Sequence, residues 1–273
     1  MERSKDVALY DVKYDFSHVK DLRTPEEKQD PYADFYEVPV KPPAQYLLDA
    51  IRPDGTLDPA EAMLPGGLGA LFAPGYLPGE NGYALLPNGV GCIAINTRLP
   101  GATPEMEAFW NGWFRSKDLY YKIWLPGLHF GHQQTITEDL GWGPIELKPY
   151  SFVDIAKVFA PGDPKRLDPE FSSVMGGSMY FDLDGKRCWC SLVHYYRANS
   201  EGMEIRTRSW LGVRMEVDGS WEVRVEPDAP IPLEWVRLLA AHHAWEFTRK
   251  ADIMADVFRR ARQLAEKAPK EDL

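Results

Sequence analysis

Pro232 opens a near-continuous helical stretch that runs to about Lys267. About 35 residues rising 1.5 Å each span roughly 50 Å, so the rest of the chain must supply a long surface for this helix to lie on. One face carries Trp235, Leu238, Leu239 and Ile253, together with His242 and Glu246. Those two are one turn apart, so imidazole and carboxylate point the same way and can hold one metal ion, a bound Zn²⁺ or similar. A buried imidazole–carboxylate hydrogen bond is the simpler account of the pair taken alone. A metal needs further ligands from elsewhere in the chain.

Charge and cysteine content narrow the class. The 273 residues are 44% apolar and 26% charged, as in a globular protein with one large or two modest domains. A net charge of −10 argues against wrapping a phosphate backbone, so no nucleic-acid partner is expected. Cys188 and Cys190 fall in an alternating stretch with Leu192 and His194, which reads as one face of a strand bearing reduced thiols. With Cys92 they are too few for a disulfide scaffold. Residues 1–6 lack an apolar signal region and no run is long enough to cross a bilayer, so a cytoplasmic protein without membrane contacts is expected.

Residues 1–80, irregular and rich in Pro, Gly and Asp, read as a wrapping subdomain with short helical or turn elements at 43–51 and 59–63, the second capped by Asp58. Residues 81–273 read as a second domain. Two strands flank the Pro87-Asn88-Gly89 turn, and Thr103-Pro104-Glu105 starts a helix that fades near Lys117. Further strands are expected at 145–148, 154–159, 177–182, 188–197, 204–217 and 221–225, with hairpin turns at Asp184-Gly185 and Asp218-Gly219. In residues 203–210 charged and apolar side chains alternate, as for a sheet with two unlike faces. Strands followed by one long helix predict an α+β fold in which a curved antiparallel sheet grips the helix around a ligand chamber. Two layers without a cavity remain the alternative on patterning.

Further polar groups sit among aromatics in residues 120–132. Pro126-Gly127 breaks regular structure just before His129, a candidate third ligand, and His132 follows three residues on. Glu146 and Asp154 compete as a fourth ligand from the sheet; each also reads as a surface residue. His194, among Leu192, Val193, Tyr195 and Tyr196, titrates near neutrality and could exchange a proton with a phenol or carbon acid. Tyr121 reads either as a core ring or as a donor aimed at substrate. No Gly-x-Gly-x-x-Gly, Walker or Gly-x-Ser-x-Gly motif is present.

The run Tyr121-Lys122-Ile123-Trp124-Leu125-Pro126-Gly127-Leu128-His129 resembles the diacetylphloroglucinol and phloretin hydrolase family. So do residues 82–89 and 99–106, Leu192-Val193-His194-Tyr195-Tyr196-Arg197, residues 204–212 and the terminal His-x-x-x-Glu. The resemblance implies a Bet v 1-like helix-grip domain, an added N-terminal portion, a homodimer and a zinc site of two histidines and two glutamates. It implies hydrolysis of the carbon–carbon bond joining an acyl group to a polyhydroxylated ring, with a small aromatic ketone as substrate. His129, His242 and Glu246 fall on three zinc ligands, and counting back from Val158-Phe159-Ala160-Pro161-Gly162 favours Glu146 over Asp154 for the fourth. Tyr121 and His194 match substrate-site positions, with His132 beside them as a catalytic candidate. Departures fall at Leu125, His132 and Ser209-Trp210. The competing expectation is a non-enzymatic binder of aromatic or polyketide-like ligands.

Overall fold

A computed structural model describes residues 21–133, 135–140, 143–152, 172–183 and 185–267. Short 3₁₀ turns at Glu27–Gln29 and Ala33–Glu37 precede helix α1 (Gln45–Ala50) and a 3₁₀ segment, Pro65–Phe72. Then follow β1 (Gly82–Leu85), β2 (Gly91–Pro100), α2 (Pro104–Trp113), α3 (Asp118–Trp124), β3 (His129–Gly131) and β4 (Ile136–Asp139). The remainder is β5 (Pro144–Phe152), β6 (Ser172–Leu183), β7 (Lys186–Asn199), β8 (Gly202–Leu211), β9 (Val213–Met215), β10 (Trp221–Val223) and α4 (Leu233–Lys267). Residues 59–61 form a turn, the second of the two forms expected there, and Asp58 accepts the Ala60 N–H at 2.9 Å. The strand expected at 154–159 lies outside the described residues, as does Asp154.

Eight strands form one antiparallel sheet in the order β1-β2-β8-β7-β6-β5-β4-β3, and β9 and β10 make a small second sheet. This α+β sheet is open. The Bet v 1-like helix-grip expected from the sequence, a curved sheet around the helix, is therefore corrected, because that fold requires a sheet curled to closure. Closure would require a ladder between the two edge strands, β1 and β3. The free edge of β1 is instead engaged by the N-terminal segment, through a parallel bridge between Thr56 and Tyr83 and a 2.9 Å hydrogen bond from Leu57 N–H to the Tyr83 carbonyl.

Both faces of the sheet are covered. On the inner face α4 packs on β1 and β2, where Ile93, Ile95 and Leu211 meet Val236, Leu239, Ala240 and Ala244. The two alanines let the helix approach closely. The aromatic side chains of α2 and α3, among them Trp110, Trp113, Tyr120 and Trp124, pack against Phe247, Ile253, Met254 and Val257 farther along α4. From Val236 to Lys250 every α4 side chain except Thr248 is buried, which is the pattern of a helix enclosed on all sides.

The outer face is where the charged half of the 203–210 alternation lies. Leu68 and Leu71 cover it beside Cys92, Val193, Tyr195 and Trp210. Arg206 and Arg208 are almost fully buried there, and both bind Glu80. Arg206 Nη1 also donates to the Leu71 carbonyl at 2.6 Å, and Trp210 Nε1 to the Met63 carbonyl at 2.6 Å. The second face is unlike the first, as the alternation predicts, but it faces protein and not solvent.

Removing one partner of a buried charge cluster leaves the others uncompensated. Glu80→Ala, which strands two buried guanidinium groups, is expected to destabilise the protein by roughly 3–5 kcal/mol. A denaturant midpoint unchanged from wild type would show that the cluster contributes nothing.

Candidate metal centre

Between α4 and the β4–β7 half of the sheet lies a cavity of about 310 Å³. Its walls are mainly apolar, with Leu140, Leu147, Met179, Leu192 and Leu239, and the polar groups Tyr121, His132, Glu138, His194, His242, His243 and Glu246 converge on it. Four donor groups meet at one end of this space, two from a hairpin and two from one turn of helix.

The hairpin contribution begins with α3. Gly127, at φ 81°, turns the chain after Pro126, and the N–H groups of Leu128 and His129 both bond the Leu125 carbonyl, at 3.2 and 3.0 Å. That turn sends His129 into β3, where it stands directly across from Glu138 on β4. Directly opposed residues project to the same face, so imidazole and carboxylate arrive together. The His129 ring stacks on Tyr121, nearly parallel at 4.0 Å between centroids. Its Nδ1 lies 3.1 Å from the Tyr121 carbonyl. A carbonyl only accepts, so Nδ1 carries the hydrogen and Nε2 presents a lone pair, the arrangement that orients a metal-binding imidazole.

His242 and Glu246 come from successive turns of α4. His129 Nε2 lies 3.2 Å from His242 Nε2 and 3.6 Å from Glu138 Oε2, and His242 Nε2 is 3.7 Å from the same oxygen. Glu246 Oε2 stands 3.8 Å from His129 Nε2 and 4.0 Å from His242 Nε2. Donors bound at about 2.0–2.2 Å around a tetrahedral ion are roughly 3.3–3.6 Å apart, so these separations fit an ion with slight closing on the Glu246 side. His129, Glu138 and His242 form a buried cluster compatible with metal coordination. Tyr121 donates its hydroxyl to Glu138 Oε2, Trp124 Nε1 donates to the Glu246 carbonyl at 2.7 Å, and His243 Nδ1 lies 2.7 Å from Glu246 Oε1.

Without a cation the electrostatics of this cluster are unfavourable to charge. Burial, and then the neighbouring Glu246 and Asp139, raise the Glu138 carboxyl to about 8 against the lowering effect of the Tyr121 hydrogen bond. Burial also pushes Glu246 well above the usual carboxyl range. Burial and His242 push His129 well below 6.5, and burial with His243 lowers His242 to about 3. Two neutral imidazoles and two buried carboxyls around one point are the donor set that a divalent cation favours.

The structure brings His129, His242 and Glu246 together. It does not bring Glu146 to them. In the β4–β5 ladder Glu138 opposes Ile145 and Ile136 opposes Leu147, all on the cavity side, whereas Glu146 opposes Thr137 and is exposed. Alternation thus turns Glu146 away from the cluster, and the glutamate that stands beside His129 and His242 is Glu138. The signal for Glu138 was its own period-2 pattern, Ile136-x-Glu138-x-Leu140, in a strand too short to attract notice. Tyr121, His132 and His194 all line the cavity; His194 Nδ1 is 2.9 Å from Thr207 Oγ1, and the His132 ring packs edge-on against Phe114. His243, not singled out in the sequence, lines it too. Cys190 also reaches the cavity wall, and burial raises its thiol to about 12, so it is an inert core group. Among the described residues no helix is long and apolar enough to cross a membrane.

Comparison with known proteins adds a family. A family model described as the DAPG hydrolase PhiG domain matches residues 66–140 and 129–259. A phloretin hydrolase from Eubacterium ramulus is 26% identical over 263 residues, an alignment covering 85% of this chain and 91% of that protein. A 2,4-diacetylphloroglucinol hydrolase from Pseudomonas protegens is 22% identical over 271 residues, covering 84% of each chain.

Two measurements check the centre. Elemental analysis is expected to find metal in wild type and in Glu146→Gln, and to find it depleted in Glu138→Gln and His242→Ala; retention in both depleted variants would remove the cluster as a metal site. In the metal-free protein Glu138 holds a proton below about pH 8, and that proton must leave when a cation binds. The histidines are already neutral, so metal affinity should rise with a slope of at least about one logarithmic unit per pH unit from roughly pH 6 to pH 8. Chelator competition giving a flat profile over that window would contradict this.

Proposed function

The chain belongs to the DAPG hydrolase PhiG domain family, and from that premise we propose that it is a zinc-dependent hydrolase of acylphloroglucinol-like aryl ketones, cleaving the bond between ring and acyl group to give a phenol and a carboxylic acid. The observation that carries the reading is the convergence of His129, Glu138, His242 and Glu246 at the end of an apolar cavity that also presents Tyr121 and His194. Zinc bound there supplies Lewis acidity toward an acyl oxygen or a water.

The chain's own residues do the rest. Apolar walls of Leu140, Leu147, Leu192 and Leu239 accept a flat ring and exclude bulk water, leaving a few polar groups to set its orientation. Tyr121 and His132 orient phenolic oxygens. Burial, then His243 and nearby cations, hold the His194 pKa well below 6.5, so its imidazole is neutral and able to accept a proton. It takes a phenolic proton and returns it to the acyl-bearing ring carbon, which becomes tetrahedral in a dienone-like ring. Water adds to the side-chain carbonyl carbon. The carbon–carbon bond then breaks, its electron pair restores the aromatic ring as a phenolate, and one hydroxyl proton of the hydrated acyl carbon passes to that oxygen, giving the phenol and a carboxylic acid.

Zinc-loaded protein incubated with acetyl- and dihydrocinnamoyl-substituted phloroglucinols should release phenol and acid in equal amounts. His194→Ala should keep its metal and lose about 10²–10⁴-fold in turnover, the usual range for a proton-transfer group. Full turnover in that variant would take His194 out of the proton path. Absence of acid from every acylphloroglucinol tried would overturn the proposed activity.

A further inference from the structure

His243 follows a metal-cluster residue directly, yet the helix turns it toward another wall of the cavity. The ring is 3% exposed and lies edge-to-face with His194, 5.7 Å between centroids. Its Nδ1 is 2.7 Å from Glu246 Oε1, the oxygen that does not face the imidazole pair. The other oxygen, Oε2, is the one at 3.8 and 4.0 Å from His129 and His242. A carboxylate that holds a cation through one oxygen is acceptor-only, so the hydrogen between the residues belongs to His243 Nδ1. In a neutral imidazole that leaves a lone pair on Nε2. Among the described residues Nε2 has no hydrogen-bond partner; it is buried, on a side chain that lines the cavity.

From this geometry we infer that His243 accepts a hydrogen bond from a ring hydroxyl of the bound ligand. The inference rests on the proposed aryl ketone activity for the identity of that ligand, and adds a contact that the activity alone does not assign. A buried acceptor is paired only when the incoming ring carries a donor, so a hydroxyl-free ring leaves Nε2 stranded and is disfavoured. An accepted phenolic O–H also releases electron density into the ring. That makes the acyl-bearing carbon more basic, the property its protonation requires. Through its other nitrogen His243 fixes the rotamer of Glu246.

The two nitrogens can be separated. His243→Asn keeps an amide N–H near the Nδ1 position and removes Nε2; His243→Gln places an amide near Nε2. The probe is phloroglucinol, a ring with three hydroxyls and no bond to cleave, titrated calorimetrically into zinc-loaded protein, with acetophenone as the hydroxyl-free comparison. The expected result for His243→Asn is wild-type metal content, about tenfold weaker phloroglucinol binding, unchanged acetophenone binding and lower kcat on acylphloroglucinols. His243→Gln should recover part of the phloroglucinol affinity. Equal phloroglucinol affinity in wild type and His243→Asn would overturn the acceptor role. Joint loss of metal and phloroglucinol in both variants would do so too, leaving only support of Glu246. A wild type that binds phloroglucinol in this His243-dependent way but cleaves no acylphloroglucinol would overturn the activity and uphold the contact. Failure of wild type to bind phloroglucinol would overturn both.

Discussion

Taking a charged group out of water is among the most unfavourable steps in folding unless an opposite charge goes with it. Two carboxyls and two imidazoles sit here in contact with one another beneath a largely apolar cavity. The nearest cation acting on Glu246 is Lys250, and Lys250 is itself held by Glu107 at 2.5 Å. Among the described residues the protein thus places two carboxyls where burial outweighs the help of its own cations and disfavours their ionised forms. The surrounding hydrogen bonds, Tyr121 on Glu138, His243 on Glu246 and a backbone carbonyl on His129, each fix an orientation. The arrangement is compatible with coordination of a divalent cation, and the family to which the chain belongs is one of hydrolases.

The scaffold that delivers these groups is a sheet with protein on both sides. One half of its inner face is packed tight by α4 at alanine contacts, and the other half stands clear of the helix, which is where the cavity lies. The outer face is closed by residues around Leu68 and Leu71 and by the Glu80–arginine cluster. An edge engaged by residues 56–57 leaves the sheet open, so the chamber is bounded by helix α3 and the β3–β4 hairpin in place of a closed barrel wall.

The long helix was legible because its length and the four-residue interval between His242 and Glu246 are local facts. His129 was legible for a related reason, since Pro126-Gly127 marks the break that aims it. Glu138 was hidden, because a four-residue strand carries little periodicity and its apolar neighbours are few. Glu146 attracted attention by standing between Ile145 and Leu147, and that same alternation, once the ladder register is known, is what turns it outward. Sheet closure was illegible in principle: alternation fixes which side chains share a face, whereas edge pairing depends on which distant segment reaches β1 first. The charged alternation at Glu204, Arg206 and Arg208 likewise predicts an unlike face without saying whether water or protein meets it.

The irregularity in β3 carries a last consequence. Pairing of β3 with β4 shifts by one residue between His129 and Gly131. Such a bulge resists sliding, and a slide of one position would exchange inward and outward side chains along the whole of β4. Glu138 would then point to solvent and Thr137 into the chamber. An ion held between His129 and Glu138 would therefore discriminate between alignments of the hairpin, because only one threading of these few residues brings both donors to the same face.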